Sequence, residues 1–123
     1  MTGAVGSDNV ASTATSLLQS AGVDLTSVQT INGPSGCAFV FVDDNSENQI
    51  VIIAGANGQV SAAQANAMQI ASDDVLMLQL ECPMAAVVAA ADNAKKSGAK
   101  VIANLAPYQS IDCLLYTSPS PRD

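Results

Sequence analysis

Cys37–Val42 and Gln49–Ala54 are β-rich runs separated only by the polar stretch Asp43–Asn48. Two such runs around a short polar break predict a β-hairpin. Alternation puts Ala38, Val40 and Val42 on one face of the first strand. Cys37, Phe39 and Phe41 fall on the other. Both faces are apolar, so neither suits bulk water. One reading is burial of the hairpin in a core. The other is a flap that covers a ligand with one face and meets a partner with the other. The hairpin leads into Gly55-Ala56-Asn57, which has no core-packing logic.

The rest of the chain reads as helices on a parallel sheet. Met1 to Asp8 reads as the end of a strand entering a turn and a helix. Val10, Ala14, Leu17, Leu18 and Ala21 recur near the helical period, with Asp8 as cap and Gly22 as stop. Val28–Ile31 is a short strand, and Asn32–Gly36 is a turn cluster. Ser61-Ala62-Ala63-Gln64 has the form of a capping box opening a helix to about Ile70. Val75–Leu80 is a nearly unbroken apolar run, as in a buried parallel strand. Pro83 fits the first position of a helix that runs to Lys96 and stops at Gly98. Lys100–Ala103 is the next strand. Strand, helix, strand at this length is a βαβ unit with a right-handed crossover.

Composition narrows the function classes. The 123 residues are about half apolar but only 3% aromatic, which suits an α/β core of Ala and Val. The net charge is -7, with only Lys95, Lys96, Lys100 and Arg122 positive. A basic nucleic-acid surface is excluded on that balance. There is no histidine, and the three cysteines Cys37, Cys82 and Cys113 form no CxxC pair. Zinc ligation has no support there, and free thiols of a cytosolic chain are the simpler reading. No apolar run is long enough to span a bilayer as a helix.

Chemistry gathers at the strand ends. Ligands of open parallel sheets bind beyond the carboxyl ends of the strands. Glu81 and Asn104 each stand at that end of one strand of the βαβ unit, hence on one edge of the sheet. An acid and an amide there can accept from and donate to sugar hydroxyls. Alternatively, Glu81 helps to cap the Pro83 helix and Asn104 satisfies a turn.

The motifs in order resemble the ribokinase branch of the PfkB-type sugar kinases, over Thr2 to Asp112. Gly3 to Asp8 is similar to that family's G-x-x-G-x-D turn, although Ala11 replaces a later glycine. Ser35-Gly36 stands for its Thr-Gly. Glu47-Asn48 matches its Gly-Glu-Asn turn, with Ser46 in place of glycine. Gly55-Ala56-Asn57 and Gln79-Leu80-Glu81-x-Pro83 match. Asn104-Leu105-Ala106-Pro107 is similar to Asn-Pro-Ala-Pro.

The resemblance implies a partial ribokinase-like, Rossmann-like parallel sheet with flanking helices and a projecting hairpin lid at about 35–57. It implies that Glu81 binds the sugar and that Ala38, Val40 and Ile52 make apolar lid contacts to it. It also implies ATP and Mg²⁺ as cofactors, a monovalent cation such as K⁺, and a homodimer formed through the lid. The reaction implied is γ-phosphoryl transfer from ATP to the primary hydroxyl of D-ribose. The family's catalytic base and nucleotide pocket are expected beyond residue 112, so the chain alone is expected to be inactive. Other kinases of the superfamily, acting on fructose or nucleosides, and a small non-enzymatic α/β binding module are the alternatives.

The two ends read differently from the body. Cys113–Asp123 continues no earlier pattern, and every residue of it can be back-translated into a transposase sequencing adapter. The expected division is therefore a partial kinase domain over 1–112 and a non-native tail over 113–123. Met1 reads as an internal methionine at a truncated start.

Overall fold

The computed structural model describes residues 1–108. The reading of Cys113–Asp123 as a non-native tail falls outside the described residues. The chain forms two compact units, one of Met1–Gln59 and one from Val60 on.

In the first unit, β1 (Thr2–Gly6) lies parallel to β2 (Ser27–Ile31), with Gly3 opposite Val28 and Val5 opposite Thr30. The helix α1 (Asn9–Ser20) joins them. Asp8 caps it as the sequence predicts, accepting from the Ala11 amide at 3.2 Å. Next come β3 (Cys37–Val42) and β4 (Asn48–Ile53), the expected antiparallel hairpin. A short 3-10 turn over Gly55–Gln59 ends the unit, with Ala56 buried inside it.

The hairpin turn is organised by one carboxylate. Asp43 accepts from the amides of Asn45 and Glu47, both at 2.9 Å. These bonds, that of Glu47 first, hold its carboxyl below the ordinary value of 3.8. Ser46 takes φ 66, the left-handed region, at the position where the resembling family carries glycine. An L-residue there costs about 1–2 kcal/mol, partly offset by the greater freedom that glycine has in the unfolded chain. Ser46→Gly is therefore expected to stabilise the hairpin by about 0.5–1 kcal/mol. Slower amide exchange at Glu47 and Asp43 is the readout.

In the second unit, α2 (Ala62–Asn66) opens with the Ser61 cap, whose Oγ accepts from the Gln64 amide at 3.1 Å. It ends at Asn66, not near Ile70 as the sequence suggests. The Asn93 side chain donates to the carbonyls of Ala65 and Met68, at 3.2 and 2.9 Å, which takes up groups that the helix leaves open. The βαβ unit follows: β5 (Val75–Gln79), α3 (Met84–Ser97) and β6 (Lys100–Asn104), with the two strands parallel. Pro83 caps α3 from just outside with ψ 131, one place earlier than predicted, and Gly98 ends it.

Ala86, Val87, Ala90, Ala91 and Ala94 form the buried stripe of α3, packed on α2 and on the strands. Leu80, 1% exposed, closes that core at the end of β5. Burying such a side chain stabilises by about 1.5–3 kcal/mol. The expectation that β5 is buried on both faces is corrected. Leu76 and Leu78 are half-buried, whereas Val75 is exposed and Met77 is 75% exposed. Alternation puts Leu76 and Leu78 on one face, and among the described residues that face is the more covered one while α3 packs on the strand pair. Among the described residues no helix is long and apolar enough to cross a membrane.

Candidate functional site

Glu81 and Asn104 come to the same edge of the second unit's sheet, as the sequence predicts. Gln79 pairs with Asn104 at the carboxyl ends of β5 and β6, and Glu81 follows two residues later. The Leu80 amide donates to the Ala106 carbonyl at 3.1 Å, tying the two strand ends together. The Gln79 side chain accepts from the Glu81 amide at 2.8 Å, which fixes the backbone that carries the acid. Both Glu81 and Asn104 are exposed. Among the described residues no first-turn amide of α3 donates to the Glu81 carboxylate. The exposed acid therefore does not cap α3 among the described residues.

The neighbouring Cys82 is half-buried, and its thiol is pushed up by that burial and then by the Glu81 charge. A thiol raised in this way is disfavoured as a nucleophile. Among the described residues no three His, Cys, Asp or Glu side chains converge as a metal site requires.

In the first unit the hairpin presents an apolar face made of Ala38, Val40, Ile50 and Ile52. Ala38 lies directly opposite Ile52, and Val40 opposite Ile50. Val40 is 58% and Ile52 61% exposed. Phe39, Phe41, Val51 and Ile53 crowd the other face and are also exposed. The structure thus departs from burial of the hairpin in a core.

The sequence did not reveal how the root of the hairpin is tied. Ser35, buried at the entry to β3, accepts from the Gly6 amide at 2.9 Å and donates its hydroxyl to Asp8 Oδ1 at 2.7 Å. Its amide donates to Asp8 Oδ2 at 2.8 Å. Asp8 is thus both helix cap and acceptor for Ser35. The Ser35 bonds come first among the causes that hold its carboxyl below the ordinary 3.8. Only the pairing of an early Asp with a later Ser-Gly could have hinted at this.

Because the folded carboxyl is the stronger acid, its contribution to stability is complete above pH 3.8. It is lost as pH falls from there through the lowered folded value. Asp8→Asn is therefore expected to be less stable than the parent at neutral pH, and the gap should close in acid. Denaturant midpoints measured across that range check this.

The chain is similar to known proteins in sequence and in fold. Residues 1–118 match the pfkB family of carbohydrate kinases. The chain belongs to the pfkB carbohydrate kinase family. Within that family, a ribokinase of Haemophilus influenzae is 40% identical over 108 residues, 85% of this chain and 35% of the relative. A ribokinase structure from Thermotoga maritima superposes with a TM-score of 0.76 at 26% identity, covering 94% of this chain and 37% of the other. The ribokinase of Arabidopsis thaliana complexed with ribose and ATP gives 0.68 at 26% identity, covering 83% and 35%. The fold is a partial ribokinase-like α/β fold. The chain spans about a third of the length of the relatives it matches.

Proposed function

We propose that this chain is the sugar-recognising portion of an ATP-dependent kinase that phosphorylates the primary hydroxyl of D-ribose. The observation that carries the reading is the exposed Glu81 at the carboxyl end of β5, on one edge with Asn104. A carboxylate accepts from two adjacent hydroxyls, and an amide both donates and accepts. That set suits a polyol better than an anionic or aromatic ligand. In the first unit, Ala38, Val40 and Ile52 take the role of apolar contacts to the sugar. The Arabidopsis relative with ribose and ATP supports both the acceptor and the phosphoryl donor.

The chain's own residues bind and orient the acceptor in this reading. The γ-phosphoryl is supplied by ATP, with Mg²⁺ and a monovalent cation such as K⁺ as companions in the full enzyme. The described residues do not fit a metal site, since no such cluster of side chains forms among them. The base that deprotonates the hydroxyl is assigned to sequence outside this chain, so the 123-residue chain alone is expected to give no sugar phosphate. The second apolar face of the hairpin suits a second subunit's hairpin, hence a homodimer of the whole enzyme in the cytoplasm. Cys113–Asp123 is read as translated adapter, which resequencing the source DNA across codons 111–113 checks.

The assay exchanges residues 1–108 for the matching third of the Haemophilus influenzae ribokinase. ADP formation is then followed with D-ribose, D-fructose and adenosine in turn. D-ribose is expected to be the best acceptor. Preference for fructose or adenosine would replace ribose with that acceptor. A folded hybrid that turns over none of them contradicts the kinase reading.

A further inference from the structure

The hairpin's large apolar side chains are each about half or more exposed on both faces. Packing on its own unit therefore does not set the direction in which it points. Its root does. The entering strand passes through Pro34-Ser35-Gly36, and the leaving strand passes through Ala54 to Asn57. The Ala56 amide donates to the Pro34 carbonyl at 3.0 Å, joining the two. They also touch at glycines. A Cβ on Gly36 would lie 2.6 Å from the Asn57 side-chain nitrogen and 2.7 Å from the Ala54 carbonyl oxygen. Gly55, at φ 50, has the carbonyl oxygens of Ser35 and Pro34 at 2.6 and 2.7 Å from where its Cβ would be.

Just before this joined root, Gly33 exchanges two bonds with Ser7, its carbonyl accepting from the Ser7 amide at 2.9 Å and its amide donating to the Ser7 Oγ at 3.2 Å. Among the described residues, the root itself is bound to the end of β1 and to Asp8 through Ser35. The three bonds run from Gly6 to Ser35 and from Ser35 twice to Asp8. We infer that Asp8 and Ser35 are positioning residues for the hairpin, fixing the direction in which Ala38, Val40 and Ile52 are presented. They touch no substrate; they act through the strands they anchor. The inference rests on reading the hairpin as the sugar's apolar cover.

Two substitutions separate anchoring from helix capping. Asp8→Asn keeps a capping oxygen for α1, since Asn is as good a cap as Asp. Its amide nitrogen cannot accept from the Ser35 amide. Ser35→Ala removes two of the three bonds, and Ser35→Thr keeps the hydroxyl. The chain carries spin labels at Asn45→Cys and Ser16→Cys, with Cys37, Cys82 and Cys113 changed to serine. The distance distribution from hairpin turn to α1 is read together with exchange of the Ser35 and Ala56 amides.

The parent and Ser35→Thr are expected to give a narrow distribution. Ser35→Ala and Asp8→Asn should broaden it and speed exchange at the root about tenfold, the factor that ~1.4 kcal/mol represents. Both should retain the helical circular dichroism of the parent. A narrow distribution in both variants overturns the inference, as does failure of Ser35→Thr to restore it. If both variants lose the helical signal, the pair holds the whole unit together, and a specific positioning role is overturned. No sugar is present in this test, so it can fail separately from the acceptor assay.

Discussion

Replacing Glu81 by alanine in the hybrid kinase is expected to lower kcat/KM for D-ribose about 100-fold or more. A hydrogen bond to a charged group contributes about 1.5–3 kcal/mol, and a carboxylate at a strand end can hold two hydroxyls at once. Losing both costs at least the ~2.7 kcal/mol that a hundredfold change represents. Glu81→Gln keeps one acceptor and should fall between the parent and alanine. Stability should move little, within about 0.5 kcal/mol, because Glu81 is exposed and holds no turn of α3 among the described residues. The two readouts together separate sugar binding from helix capping. An alanine variant as active as the parent but less stable would mean that the acid serves the helix.

The largest effect on folding is expected at Gly6. A Cβ there would overlap the Ser35 amide nitrogen, the Gly33 carbonyl oxygen and the Pro34 carbonyl carbon. All three are backbone, so no rotamer change can make room. Gly6→Ala must either break β1 away from the Gly33–Ser35 turn or bend both, and it also threatens the bond from Gly6 to Ser35. A loss of at least about 3 kcal/mol is expected, beyond ordinary overpacking. Amide exchange should show protection lost across β1 and β2 while β5 and β6 keep theirs. Gly3→Ala is the control, since nothing lies within 4 Å of the position its Cβ would take. It should stay within about 0.5 kcal/mol of the parent.

Local chemistry made much of the fold legible. Period-two alternation and a polar break gave the hairpin within one residue, because a turn and two strands are specified by near neighbours. Asp8, Ser61 and Gly98 marked helix ends for the same reason. The short α2 was not legible. Its end depends on Asn93, more than twenty residues away, and no local rule reports such a partner. The half-exposure of β5 is not legible in the sequence, because an unbroken apolar run carries no record of how many layers cover it.

The site divides in the same way. Glu81 and Asn104 could be placed on one edge from the direction of the strands alone. Ala38 and Val40 could be placed on one face by parity, Ile52 only through the family resemblance, and the register sets Ile52 opposite Ala38. The Asp8–Ser35 link was hidden because either residue has a sufficient local explanation as a cap or a turn. Their meeting is a tertiary fact.

The most direct measurement is a crystal structure of the hybrid kinase with D-ribose bound. The Glu81 carboxylate is expected within about 2.5–3.0 Å of at least one ribose hydroxyl, at the carboxyl ends of β5 and β6. Ribose bound elsewhere, with Glu81 left in solvent or turned to the first turn of α3, would contradict it.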